Sequence, residues 1–179
     1  MANREAIREL QARLASRLQA ARDEGLSVSW LAIRSAGRNY LLPLAQSGEI
    51  FPISNLQHVP YAHPWFRGVV NLRGGLYGVV DLARFIAGDS ASHGPAAGVA
   101  PVAESVVVTL NAALNVNCAL LVDALAGLRN AEGFASAKGP AAGTPPYFGN
   151  CFTDAAGESW QEINLQTLAQ FPRFLNITA

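Results

Sequence analysis

The sequence predicts a mainly β protein made of two small barrel-like lobes, with one helix before the first lobe. Three observations lead to this prediction. Short apolar runs of β-forming residues alternate with turn signals along most of the chain. A convincing long helical period of apolar residues occurs only near the amino terminus. The two halves of the chain also repeat, weakly, an order of two hairpins followed by a helical turn.

The amino-terminal segment carries an amphipathic helical pattern. Apolar residues recur at spacings of three and four from Ile7 to Leu18, with polar residues between them, which predicts a helix over residues 3–23. Gly25 would end this helix. We therefore assign residues 1–25 to a helix that lies against the body of the protein. The alternative is a helix that pairs with a partner.

Four segments are predicted to be β-hairpins, because in each of them two apolar runs flank a turn. These segments are residues 28–44, 66–82, 104–125 and 147–165. In the second hairpin, Gly74 and Gly75 would supply the positive φ angles that a tight turn needs. Two stretches rich in Gly, Ala, Ser and Pro are predicted to be mobile loops. They are residues 88–105 and 133–147.

Short strands favour small barrels, because an open sheet would leave its hydrogen-bonding edges unpaired. A lobe of about 60 to 75 residues buries only around 60% of the surface of its unfolded chain, so two lobes are expected to press together along an apolar face with a groove between them. The predicted order is a first lobe over about 26–88, a linker over 88–104 and a second lobe over about 105–175. The two lobes can exchange terminal segments.

The composition argues against several classes of protein. The chain of 179 residues has 13 basic and 13 acidic residues, and no basic stripe marks a nucleic-acid surface. No apolar run reaches the roughly 18 residues of a membrane span, and the first residues lack the apolar core of a secretory signal. Cys118 and Cys151 are too few for a disulfide framework and too far apart for a metal knuckle. We expect a cytoplasmic protein without nucleic-acid binding or direct membrane insertion.

The sequence offers no catalytic signature. His58, His63 and His93 are not spaced as metal ligands, and no nucleophile elbow is present. Asp81 and Asp123 each follow an apolar run, where capping of a helical turn is favoured over a carboxylate pair. We therefore predict that the chain is not an enzyme and that it holds no metal or cofactor.

The most specific motif of the chain is the segment HPWFRGVVNLRGGLYGVVDLARFI. Its aromatic-Arg-Gly-Val run, Asn-Leu-Arg-Gly turn and Val-Asp-Leu strand end resemble the signature of the bacterial chemotaxis coupling proteins of the CheW family. The segment GRNYLLPLAQSGEIFPI resembles the opening hairpin and Glu-Ile segment of that family. NCALLVDALAGL resembles its second-lobe strand. The resemblance covers roughly residues 28–175, within a CheW-like domain that we place at 26–179.

The resemblance implies two five-stranded, SH3-like β-barrels that share an apolar interface. It also implies an adaptor that bridges the cytoplasmic tip of a methyl-accepting chemoreceptor and the regulatory domain of a CheA-type histidine kinase. Such an adaptor would be recruited to membrane-associated or polar receptor arrays. The helical extension, the Ser-Trp that opens the first strand and the ending LAQFPRFLNI resemble the PilI branch, which serves type IV pili and twitching motility.

The resemblance implies a set of contact residues as well. Arg73 matches an arginine in the partner-contact region of the family, and a planar guanidinium suits a protein interface. The alternative for Arg73 is a solvated turn residue without a partner. Asn71, as a residue that tolerates the left-handed region, and Gly74, which lacks a Cβ, are expected to shape the turn. Receptor contact is implied near residues 47–50, where Ser47 replaces a β-branched apolar residue and buries less apolar area. The full predicted set is Arg73, Asn71, Gly74, Gly75, Arg67, Ser47, Glu49 and Ile50.

Two other readings of a small β-barrel stay open. A nucleic-acid-binding barrel would need clustered basic residues and stacking aromatics on one sheet, whereas the three tryptophans are dispersed along the chain. A small-molecule-binding or other interaction barrel would use a groove lined by Phe66, Tyr77 and Val79.

Overall fold

The computed structural model describes residues 29–88 and 105–179, and in these residues eleven strands form two sheets. The predicted amino-terminal helix and residues 89–104 of the predicted linker lie outside the described residues. The strands are β1 (Ser29–Ser35), β2 (Arg38–Pro43), β3 (Ser47–Pro52), β4 (Phe66–Leu72), β5 (Gly75–Asp81), β6 (Val106–Leu110), β7 (Cys118–Val122), β8 (Ala124–Asn130), β9 (Phe134–Lys138), β10 (Phe148–Asp154) and β11 (Ser159–Ile163). The helices are α1 (Leu82–Ala87), α2 (Leu165–Ala169) and α3 (Pro172–Leu175). None of these described helices is long and apolar enough to cross a membrane.

The mainly β prediction is confirmed, and so are the four hairpins. Antiparallel pairs join β1 to β2, β4 to β5, β6 to β7 and β10 to β11. One sheet has five strands in the order β3-β6-β7-β5-β4, and the other has six in the order β8-β1-β2-β11-β10-β9. The expected count of five strands in each lobe is therefore wrong for the second sheet, which gains an extra strand.

The two sheets do not correspond to the two halves of the chain. Strands β1 and β2 join the sheet that contains β8 to β11, whereas β6 and β7 join the sheet that contains β3 to β5. The limits of 26–88 and 105–175 consequently describe neither sheet by itself. The backbone enters the six-stranded sheet, leaves it for the five-stranded sheet and then returns.

The largest hydrophobic cluster joins the two sheets, and we call it the shared core. Leu31 and Ile33 of β1 contribute to it from the six-stranded sheet, and Leu120 of β7 contributes from the five-stranded sheet. The opposite faces of these strands pack into separate clusters. Trp30 lies within the six-stranded lobe, and Leu121 lies within the five-stranded lobe. Both faces of these strands are buried, which explains why their sequences are continuous apolar runs.

Strands β8 and β9 depart from the sequence prediction. Residues 133–147 were expected to be a mobile loop, but Phe134–Lys138 forms β9 and pairs with β10. Most side chains of β8 and β9 are exposed, so neither strand has the apolar alternation that marks a half-buried strand. Backbone pairing with a neighbouring strand, rather than side-chain burial, defines them.

Two helical turns end the β-hairpins as predicted, and each begins at a capping residue. The Asp81 carboxylate accepts a hydrogen bond from the backbone N–H of Arg84 at 3.1 Å. Asn164 caps α2 in the same way. The capping prediction is wrong for Asp123, because a strand follows it. The Asp123 carboxylate instead accepts a hydrogen bond from the Ala36 N–H at 2.7 Å and so holds the β1–β2 turn.

Candidate functional site

The tip of the β4–β5 hairpin presents an arginine in an unusual backbone conformation. Arg73 has φ of 50° and Gly74 has φ of 85°, so the two central residues of the turn both occupy the left-handed region. The expectation that Gly75 supplies a positive φ is therefore wrong. Gly75 is favoured for space, since a Cβ there would lie 2.9 Å from a ring carbon of Tyr77.

Asn71 shapes the turn from within β4 rather than from the left-handed region. Its side-chain oxygen accepts a hydrogen bond from the Gly74 N–H at 3.0 Å. Asn71 therefore shapes the turn, but the expectation that it does so from the left-handed region is wrong. This side chain fixes the backbone next to Arg73, which limits the conformations open to the tip.

Arg73 and Glu49, both predicted contact residues, meet in the structure. The guanidinium and the carboxylate form an ion pair at 2.6 Å, with 73% and 58% of their side chains exposed. The guanidinium also lies over the ring of Phe51, 5.5 Å from its centroid. An ion pair this exposed contributes only about 0.2–1 kcal/mol to folding, so it orients Arg73 more than it stabilises the protein.

The contact joins the two edges of the five-stranded sheet. Glu49 belongs to β3 and Arg73 follows β4, and these strands lie at opposite ends of the strand order. A backbone bridge also joins Gln57, in the connection that follows β3, to Val69 of β4. The sheet therefore curls on itself, as the edge argument predicted.

Gly48 lies in a β-bulge of β3, where a larger residue would not fit. The pairing of β3 with β6 shifts between Ser47 and Ile50. A Cβ on Gly48 would lie 2.9 Å from the carbonyl oxygen of Leu110 and would collide with the Thr109 hydroxyl. That hydroxyl oxygen accepts a hydrogen bond from the Glu49 N–H at 2.8 Å. The bulge therefore sets the position from which Glu49 reaches Arg73.

Ser47 and Ile50 are more buried than expected for residues that contact a partner. Ser47 is only 2% exposed, and its hydroxyl donates a hydrogen bond to the Pro43 carbonyl at 3.0 Å. Ile50 packs against the shared core while remaining partly exposed. Of these residues near Glu49, Ile50 offers apolar surface to a partner and the Ser47 side chain offers almost none.

Sequence reasoning missed two residues, one in contact with Arg73 and one in the same hairpin. Phe51 carries the cation–π contact, and Leu76, directly opposite Asn71 in the hairpin, is 61% exposed. Leu76 follows the turn in an alternating strand, and an apolar residue at that position reads as core. We call the group Arg73, Glu49, Phe51, Asn71 and Leu76 the Arg73 surface.

Arg67 does not belong to the Arg73 surface. It lies at the opposite end of the same hairpin, about 20 Å away along β4 at about 3.3 Å per residue. The pairing of β4 with β5 shifts between Phe66 and Gly68, so Arg67 is the extra residue of a β-bulge. Arg67 lies close enough to Asp81, at the end of β5, to act on its carboxylate, and it lines a cleft together with Arg84 of α1. Burial there raises the pKa of the Asp81 carboxyl, and the hydrogen bond and ion pair from Arg84 oppose that rise.

The residues considered for a metal or ligand site do not converge. Within residues 29–88 and 105–179, no group of three or more His, Cys, Asp or Glu side chains could hold a metal ion. His63 stacks on Trp65 with ring centroids 5.4 Å apart. Phe66 contributes to the shared core, whereas Val79 is fully buried within the five-stranded lobe, so these two residues and Tyr77 do not line one groove.

Comparison with known proteins gives one matching family. The model of the CheW-like domain matches residues 29–172. A relative among characterised proteins is protein PilI of Pseudomonas aeruginosa, which is 32% identical over 74 residues. That alignment spans 41% of this chain and 42% of PilI, so it covers less than half of either protein.

Among solved structures, the chain is similar to the scaffolding protein TtCheW from Thermoanaerobacter tengcongensis. The TM-score is 0.60 at 16% sequence identity, and the match covers 77% of this chain and 89% of that one. At this level of identity the likeness establishes the fold. The two proteins therefore share a fold of two small β lobes.

Proposed function

This chain belongs to the CheW-like domain family, and on that premise we propose that it is a non-catalytic adaptor. It couples the cytoplasmic tip of a methyl-accepting chemoreceptor to the regulatory domain of a CheA-type histidine kinase. One observation carries the proposal. Arg73 stands exposed at the tip of a fixed turn and pairs with Glu49, and these residues come from the two segments whose family resemblance implies partner contact.

The backbone of Arg73 supports a role outside folding. The left-handed region costs a residue other than Gly, Asn or Asp roughly 1–2 kcal/mol, and turns of this type favour Asn and Gly. An arginine is therefore a poor choice for the stability of the turn. Its side chain makes only an exposed ion pair and a cation–π contact, which offset that cost in part.

The Arg73 surface has the composition of a protein contact. Arginine and aromatic residues are enriched at interface centres. Phe51 supplies apolar area against the guanidinium, and Leu76 supplies exposed apolar area in the same hairpin. The exposed Arg73–Glu49 pair is weak enough for a partner carboxylate to replace Glu49 without a large loss of stability.

The finer assignments rest on the resemblance. Similarity to PilI supports an output through type IV pili and twitching motility. An adaptor of this kind would work in the cytoplasm, at receptor arrays associated with the membrane or the cell pole. We treat residues 26–179 as the CheW-like unit and residues 1–25 as a separate segment.

A binding titration with a matched control tests the proposal. Arg73→Glu should weaken binding of the full chain to a kinase regulatory domain or a receptor tip by about 30-fold or more, the size expected of an interface anchor. Arg34→Glu is the control, because Arg34 also forms an exposed ion pair, at 3.9 Å, with Glu158 in the β10–β11 turn. If both variants bind like the parent protein, or if both lose binding equally, the Arg73 surface is not the contact.

A further inference from the structure

A second concave surface lies at the end of the hairpin opposite Arg73. It is a half-open cleft of about 420 Å³ between the β3–β4 connection, the start of β4 and helix α1. The residues that line it are Leu56, His58, Ala62, His63, Pro64, Phe66, Arg67 and Arg84. Its size lies within the range of sites for small ligands. We call it the basic cleft.

Two arginines from different elements face the basic cleft. Arg67 is the bulged residue of β4, and it forms no ion pair within 4 Å with the described part of the chain. Arg84 of α1 uses its Nε to bind the Asp81 carboxylate at 3.3 Å. Because a guanidinium has five donors, Arg84 keeps its terminal N–H groups for another acceptor. The bulge therefore places a second cation in the cleft whose other cation is bound by the Asp81 carboxylate.

The charge of the basic cleft fits a single negative charge. With His58 and His63 neutral, the two guanidinium groups and the Asp81 carboxylate leave a formal charge of +1. The Asp123 carboxylate also acts on Asp81, but it is not one of the lining residues. No acidic side chain is among its lining residues in the described structure. A guanidinium matches the geometry of a carboxylate, with two parallel N–H donors to its two oxygens. A dianion such as phosphate would exceed the local positive charge.

Apolar residues form the rest of the wall. Phe66 is 8% exposed and anchors the floor, and Leu56 and Pro64 extend the apolar surface around it. A ligand with a carboxylate on an apolar body would meet both kinds of surface at once. Sites for such ligands combine a mainly apolar lining with a few placed polar groups.

We propose that the basic cleft binds a single carboxylate carried on an apolar body, with Arg67 and Arg84 as the donors. The carboxylate can belong to a small free acid or to an acidic side chain flanked by apolar residues in another polypeptide. The site is separate from the Arg73 surface, and its occupancy does not depend on the adaptor function.

The experiment is a nuclear magnetic resonance titration of the full chain with isotope-labelled backbone amides. Two acidic probes represent the two sources: phenylacetate, and the capped peptide acetyl-Phe-Glu-Leu-amide. Each has a neutral match, 2-phenylethanol and acetyl-Phe-Gln-Leu-amide. We expect shifts centred on residues 56–67 and on α1 with an acidic probe and not with its neutral match. The acidic probe that binds more tightly identifies the source.

Variants locate the donors. Arg67→Gln should weaken binding of the acidic probe about tenfold or more, the size of a lost hydrogen bond to a charged group. Arg67→Lys, which retains charge without the fork, should fall between Arg67→Gln and the parent protein. Arg73→Gln should leave probe binding unchanged. Thermal denaturation of each variant separates lost binding from lost folding.

Three results would overturn the proposal. They are equal shifts with the acidic and neutral probes, unchanged affinity in a folded Arg67→Gln variant, and tighter binding of inorganic phosphate than of either carboxylate. None of these bears on kinase or receptor binding through Arg73, so failure here is distinguishable from failure of the adaptor function.

Discussion

Replacement of Arg73 by asparagine separates the contribution of Arg73 to folding stability from its contribution to partner binding. Asparagine tolerates the left-handed region, which relieves roughly 1–2 kcal/mol at a φ of 50°. The substitution removes an ion pair worth about 0.2–1 kcal/mol and a cation–π contact worth about 0.5–1 kcal/mol. These terms nearly cancel, so the free energy of unfolding should change by about 1 kcal/mol or less. In a chain of this length that corresponds to a Tm shift of at most about 4 °C.

Partner binding should respond very differently. An arginine anchor at an interface centre commonly contributes 2 kcal/mol or more, which is about 30-fold in affinity. Thermal denaturation and isothermal titration with the kinase regulatory domain would measure the two quantities on the same samples. A Tm loss well beyond 4 °C would make Arg73 a structural residue, and unchanged affinity would make it a solvated turn residue. Either outcome refutes the reasoning.

Three further predictions concern the framework of the site. Leu120→Ala in the shared core should lower the free energy of unfolding by about 2–5 kcal/mol, and the variant should still unfold in one cooperative thermal transition. The control Leu128→Ala, at a site 38% exposed, should change the free energy of unfolding by less than about 0.5 kcal/mol. Two separate thermal transitions would contradict a shared core. Gly48→Ala should lower the free energy of unfolding, measured by chemical denaturation, by about 1–3 kcal/mol and should also weaken partner binding, because the added Cβ displaces the bulge. Unchanged partner binding would exclude a role for the bulge. The hydrogen bond from the Trp160 indole is the main cause that lowers the pKa of the Asp154 carboxyl. The ionised carboxylate therefore stabilises the folded protein at pH above the ordinary aspartate pKa of about 3.9, and this stabilisation is lost as the pH falls through the lowered pKa of Asp154. Tryptophan fluorescence during acid titration should report this loss, and Asp154→Asn should show a flatter acid limb.

Local features of the site could be predicted from the sequence. The β4–β5 hairpin follows from two apolar runs around a glycine pair, and the helical turn after Asp81 follows from its capping residue. The choice of Arg73 as a contact came from the resemblance, because a turn arginine alone has no distinguishing pattern. Phe51 and Leu76 remained hidden, since apolar residues within strands read as core.

Long-range features could not be predicted from the sequence. The contact of Arg73 with Glu49 depends on the curl of a sheet whose edge strands are not neighbours in the strand order. Strands β8 and β9 were missed because most of their side chains face solvent, so neither strand shows a clear apolar alternation. The role of Asp123 was misjudged for a related reason, as its partner is the distant Ala36 N–H.

The route of the backbone between the lobes has a consequence for dissection of the molecule. A cut between Gly88 and Ser105 would leave each fragment with strands from both sheets and a complete set of neither. Neither piece could close its own core, so each should be unstructured in isolation and gain order only on meeting the other. Such mutual dependence makes the chain a natural split reporter, in which recovered fold reads out the encounter of two separately produced halves.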